Sequence, residues 1–155
     1  MLWLNDEEMR AWKALLSGYA LLEREIERQL KYDAGLSHTQ YEVLVRLADA
    51  PGGAIRMTEL AESLINSKSR LSYQVDQLER AGLVCRASVP GDSRGGTAAL
   101  TDKGRHVLEG AAPGHVTLVR DLLIDVLTPT QLTAVADGLG EVARRIKEAE
   151  GESRN

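Results

Sequence analysis

Residues 68–100, KSRLSYQVDQLERAGLVCRASVPGDSRGGTAAL, change their period partway, and that change decides the fold. Up to Ala81 the apolar residues Leu71, Val75 and Leu78 recur at helical spacing and form one stripe. Gly82 then occupies the position at which helices commonly end in the left-handed conformation. Leu83 to Ser88 reads as a strand. Val89 to Gly96 holds Pro90, Gly91, Asp92, Gly95 and Gly96, the residues of turns, and Thr97 to Leu100 returns as a second strand. The pattern is a helix followed by a hairpin with a long tip.

Working upstream, Ile65-Asn66-Ser67 is a tight link from a two-turn helix at Thr58–Leu64, for which Thr58 is the expected cap. Ala54-Ile55-Arg56 is long enough only for a very short strand, and Ala50-Pro51-Gly52-Gly53 breaks the helix before it. That helix begins at Ser37-His38-Thr39-Gln40, a capping-box pattern, and runs to about Asp49 with Tyr41, Leu44 and Leu47 facing inward. Residues 5–32 form one long helix with Trp12, Leu15, Leu16, Tyr19, Leu22, Ile26 and Leu30 near helical spacing. Asp6, Glu7 and Glu8 suit its positive end, and Gly35 ends it.

Downstream, Thr101 caps a helix from Asp102 to about Ala111, and Pro113-Gly114 is expected to break or kink it, with a continuation to Leu127. Thr128-Pro129-Thr130-Gln131 combines a cap, an N1 proline and an N3 glutamine, starting a helix to about Glu148. The fold class is therefore mainly α with a small β-hairpin wing. Residues 36–100 are a winged helix-turn-helix, and residues 1–35 and 101–155 are a flanking helical region of one compact chain. The outer helices carry apolar stripes that so small a domain has no place to bury, and a second copy of the chain would cover them.

The 155 residues are 27% charged and 43% hydrophobic, the composition of one ordinary globular domain. No apolar run reaches the roughly 20 residues of a membrane span. MLWLNDEEMR lacks the basic-then-apolar pattern of a secretory leader, and the single cysteine, Cys85, fits a reducing cytoplasm. The net charge of −4 looks hostile to nucleic acid, but residues 66–106 carry seven basic and four acidic side chains while the flanking segments are all negative. Such a stretch is compatible with a local phosphate-binding face and equally with scatter.

Four pieces in fixed order resemble the MarR family of bacterial transcriptional regulators. They are Met57-Thr58-Glu59-Leu60-Ala61, Leu78-Glu79-Arg80-Ala81-Gly82-Leu83-Val84, Asp92-Ser93-Arg94-Gly95 and Leu100-Thr101-Asp102-Lys103-Gly104. Each alone is weak; together they are specific, and the likeness spans nearly the whole chain. The resemblance implies an obligate homodimer paired through the terminal helices, with one winged helix-turn-helix for each half of a double-stranded DNA operator. A regulator of this kind, most simply a repressor, would be cytoplasmic.

The second helix of a helix-turn-helix enters the major groove. With Leu71, Val75 and Leu78 inward, Ser69, Arg70, Tyr73, Gln77 and Arg80 turn outward. Arginine can pair with guanine and glutamine with adenine, while Ser67 and Lys68 are placed for phosphate. In the wing, Arg94 can enter a narrow minor groove, Asp92 would orient it as in the family pattern, and Arg86 at the hairpin base could touch phosphate. The blander alternative is an ordinary solvated helix face with a weak Asp-x-Arg surface pair. Tyr73 departs from the basic or imidazole side chain that family members often carry there, so no operator preference transfers.

Cys85, on a strand with no second cysteine to resolve an oxidised sulfur, reads as a small buried residue. His38, His106 and His115 are scattered and form no metal-ligand spacing, so no metal or other cofactor is expected. No phosphate loop or activated nucleophile argues for an enzyme. By resemblance, a small aromatic or lipophilic effector would sit in a cleft lined by Trp12, Tyr19 and Tyr41, although aromatics at helical spacing are more often core or dimer interface. The competing reading from another class is a winged-helix protein-interaction module that does not bind DNA.

Overall fold

The structure, a computed structural model, describes residues 3–64, 68–88, 91 and 96–153, with Lys68 described by its backbone alone. Among the described residues six α-helices and three short strands follow in the order α1 (Asp6–Ala34), α2 (His38–Asp49), β1 (Ala54–Arg56), α3 (Met57–Ser63), α4 (Lys68–Arg80), β2 (Val84–Ala87), β3 (Thr97–Leu100), α5 (Asp102–Val119) and α6 (Pro129–Glu152). They fall into two compact units, 1–116 and 117–155.

Within the first unit, α1 starts at a capping box that sequence reading missed: the Asn5 side chain accepts from the Glu8 N–H, and Glu8 accepts from the Asn5 N–H. Ser37 and Gln40 make the reciprocal pair expected at the start of α2. The expected Thr58 cap is not one. Helix α3 begins a residue earlier, at Met57, and its N-cap Arg56 gives no side-chain cap bond. The Met57 N–H instead donates to the Gly96 carbonyl of the hairpin, 2.9 Å away, so a tertiary bond starts this helix.

The three strands form one antiparallel sheet in the order β1-β3-β2, with Ile55 opposite Ala98 and Cys85 opposite Ala99. Leu30 of α1, Val43, Leu44 and Leu47 of α2, Leu60 of α3, Leu71, Val75 and Leu78 of α4, and Val84 of β2 are fully buried and make the core. Val84 points in, so its neighbour Cys85 must point out. Cys85 is exposed, which corrects its reading as a small core residue; the two-residue period of a strand is the reason.

The turn after α4 is locked to the start of α5 by the residues of the Leu-Thr-Asp-Lys-Gly piece. The Thr101 hydroxyl donates to the Gly82 carbonyl at 2.7 Å and accepts from the Gly104 N–H at 3.0 Å, while Lys103 Nζ donates to the Ala81 carbonyl at 2.9 Å. Gly104 is buried, and a Cβ there would overlap the Leu83 carbonyl oxygen. Only glycine admits this approach of helix to turn.

Of the break or kink expected at Pro113 and Gly114, the break is absent: the α-helix runs through both to Val119. A proline removes one helical hydrogen bond, and tertiary packing can outweigh that loss. Gly114 lies against α1, where a Cβ would stand 2.7 Å from Asp33 Oδ2 and 3.1 Å from Gln29 Nε2.

In the second unit, a π-helical turn at Arg120–Ile124 precedes Thr128, Pro129 and Gln131, which form the expected cap of α6. No residue of α6 is buried.

Candidate nucleic-acid interface

Helix α4 turns Leu71, Val75 and Leu78 into the core and leaves Ser69, Arg70, Tyr73 and Arg80 exposed, with Gln77 half-buried between them. The sequence assigned each of these to its observed side, because burial of the apolar stripe sets the rotation of the helix. Tyr73 is 62% exposed, a large ring held in solvent. Lys68 opens the helix, and Ser67, Asp92 and Arg94 lie outside the described residues.

Arg86 ties the base of the wing to α4. Its guanidinium donates to Asp76 Oδ1 at 2.6 Å and to Ser72 Oγ at 3.3 Å, and its backbone N–H donates to Glu79 Oε2 at 2.8 Å. Three residues of α4 thus hold β2, the base of the wing, against the helix. The sequence could not show this, because Asp76, Ser72 and Glu79 are joined to Arg86 only by the turn at Gly82.

Beside α4 lies a concavity of about 550 Å³ lined by Thr39, Ser69, Arg70, Tyr73 and Gln74. Sequence reading missed Thr39 and Gln74. Gln74 follows Arg70 by one helical turn and was recoverable from spacing. Thr39 belongs to α2 and reaches this surface only because α2 packs on α4.

Of the three aromatic residues expected to line an effector cleft, one is buried and two are exposed. Tyr41 is buried, with its ring 4.5 Å from His115, whereas Trp12 and Tyr19 are exposed on α1. Burial raises the Tyr41 phenol above its usual pKa, and the Glu23 carboxylate foremost raises that of Tyr19.

The structure does bring together two histidines that are 77 positions apart. The His38 and His115 rings are 5.9 Å apart. His38 Nδ1 donates to Glu23 at 2.8 Å and its backbone N–H to Glu27 at 2.9 Å. His115 Nδ1 is buried with no partner among the described residues, and desolvation, then the nearby His38, lowers its pKa. Among the described residues no group of three or more His, Cys, Asp or Glu is placed to hold a metal.

A helix with a buried stripe, a polar outer face and an antiparallel hairpin behind it defines a winged helix-turn-helix protein. The sequence model of the MarR family matches residues 34–95. The structure superposes on AbsC, a MarR family transcriptional regulator from Streptomyces coelicolor, with a TM-score of 0.89 at 38% identity, covering 96% of this chain and 99% of AbsC. It superposes on Sco3205, a MarR family regulator of the same organism solved in complex with DNA, with a TM-score of 0.84 at 44% identity, covering 96% of this chain and 91% of that one. The HTH-type transcriptional regulator PecS of Dickeya dadantii is 31% identical over 123 residues, which are 77% of this chain and 72% of PecS. The chain belongs to the MarR family of transcriptional regulators.

Proposed function

We propose that this protein regulates transcription as a homodimer, each subunit laying α4 in the major groove of a pseudo-palindromic operator and its wing along the flanking DNA. The two recognition helices would enter successive grooves about 34 Å apart. The observation that carries the reading is the outer face of α4, where Ser69, Arg70 and Tyr73 stand exposed over a fully buried Leu71–Val75–Leu78 stripe. Likeness to Sco3205, a regulator solved with DNA, supports it. In this reading Arg70 pairs with guanine, Gln77 and Ser69 contact base or phosphate, Ser67 and Lys68 hold the backbone, and Asp92 positions Arg94 in the minor groove.

The dimer rests on apolar surface left exposed on two helices. Trp12, Leu15, Leu16 and Tyr19 of α1 are 41–66% exposed, and Val135, Leu139, Val142 and Ile146 of α6 are 39–55% exposed. Stripes of this kind at helical spacing mark association surfaces. Among the described residues no helix is long and apolar enough to cross a membrane, and a second copy of the chain would cover these stripes. Occupying an operator that overlaps a promoter would repress in the cytoplasm. A small aromatic or lipophilic effector would relieve that by favouring dimers with a different separation of the winged units.

Fluorescence anisotropy of duplex DNA from upstream of the protein's own gene, against random duplex at physiological salt, tests the reading. Tight binding with strong preference for the upstream duplex supports it. Arg70→Ala should then cost about 1–3 kcal/mol of discrimination, and equal losses on both duplexes would remove Arg70 from base reading. If no duplex is preferred, even after selection from a random-sequence pool, a protein-interaction role replaces the DNA one.

A further inference from the structure

We propose that the concavity between α2 and α4 is a seat for the sugar–phosphate backbone of the bound duplex, with Thr39 as a backbone-anchoring residue outside the recognition helix. The inference rests on the DNA-binding reading above and adds a second helix to the contact surface.

Among the described residues the lining side chains, Thr39, Ser69, Arg70, Tyr73 and Gln74, can each donate a hydrogen bond and none is acidic. That lining belongs to a chain in which 23 acidic residues outnumber 19 basic ones. Donors without a carboxylate among them favour an anion, and the Thr39 hydroxyl beside the Gln74 amide matches the oxygens of a phosphodiester. Among the described residues the side chains of Thr39, Tyr73 and Gln74 make no hydrogen bond within the chain, so their capacity is open to a ligand. At about 550 Å³ the space exceeds an isolated anion and accommodates a stretch of backbone.

The division of labour follows from position. Helix α4 presents its outer face to base edges, whereas α2 packs beside it and meets the strand that borders the groove. Contacts of that kind set register and carry no sequence information. Thr39 therefore contributes affinity without selectivity.

The test uses the full chain and a duplex selected by the wild-type protein from a random-sequence pool. Thr39→Val should weaken binding to the selected and to a random duplex by the same factor, about 3–10-fold. Thr39→Ser should restore both, and the melting temperature should not move. The slope of log affinity against log salt should stay as in wild type, because a hydroxyl neutralises no phosphate. Ethylation of one backbone phosphate in each half-site should weaken the wild type by a larger factor than Thr39→Val. Unchanged affinity, a loss confined to the selected duplex, or identical ethylation patterns would each overturn the seat while leaving the DNA-binding reading standing. Duplex affinity unchanged by Thr39→Val, with binding of adenosine monophosphate lost in that variant, would assign the seat to a free phosphate ester and overturn the backbone role. If the wild type enriches no sequence and binds no duplex, both readings fall together.

Discussion

Helices α4 and α6 are both amphipathic, yet they end in opposite states. Leu71, Val75 and Leu78 of α4 are 0–1% exposed, closed over by α2, α3 and the sheet. On α6 the stripe Val135, Leu139, Val142 and Ile146, at spacings of four, three and four, remains 39–55% exposed. The same pattern thus completes a fold in one place and leaves an uncovered apolar stripe in the other. Burying such a stripe is worth roughly 25 cal/mol per Å², so α4 contributes to the stability of one chain and α6 can contribute only when something covers it.

The sharpest test of that contrast is Leu78→Ala. Truncating a fully buried leucine should lower the unfolding free energy by about 2–5 kcal/mol in urea titrations. A change below 1 kcal/mol would mean that the core around α4 is not closed. The counterpart on the other helix is Leu139→Glu. We expect the dimer dissociation constant to rise at least tenfold, roughly 1.4 kcal/mol, with the helical circular dichroism retained. Light scattering that gives twice 16.9 kDa for this variant at low micromolar concentration would take α6 out of the interface, and a wild-type mass of 16.9 kDa would remove the dimer itself.

A smaller effect separates two roles for Arg86. Its ion pair with Asp76 is partly exposed on both sides, so Arg86→Ala should cost less than about 1 kcal/mol of stability. If the guanidinium is spent on bracing the wing, the salt slope of DNA binding stays as in wild type. A slope shallower by about 1 would assign Arg86 to a phosphate instead.

The smallest effect concerns acid. Burial lowers the pKa of His115 from its ordinary 6.5, so the unfolded chain binds a proton there before the folded chain does. Stability should fall as the pH drops through about 6.5 and level off below the folded value. His115→Gln should flatten that decline in urea titrations at a series of pH values. Superimposable profiles would show that His115 does not carry it.

Much of this was legible in the chain. The capping residues Ser37, Gln40, Thr128, Pro129 and Gln131, the period change at Gly82 and the rotation of α4 all depend on neighbours within about four residues. Local hydrogen-bonding rules and helical spacing reach that far. Readings failed where a distant group outweighed the local signal. Thr58 lost its cap role to the Gly96 carbonyl, Pro113 stayed inside α5, and Cys85 faced outward because Val84 took the core side. The ties of Arg86 to Asp76, Ser72 and Glu79 were not legible in the chain, because those partners lie across the turn.

By itself, then, the sequence determined the order of elements, the inward faces of α2 and α4 and the exposed set Ser69, Arg70 and Tyr73. Each of these follows from periodicity and caps, which are short-range and additive. Only the tertiary structure decided that Thr39 joins α4 around one concavity, that His38 meets His115, and that Gly104 must be glycine. Those three depend on distances between segments far apart in the chain, and such distances are set by how the buried faces pack together rather than by any residue's own preference.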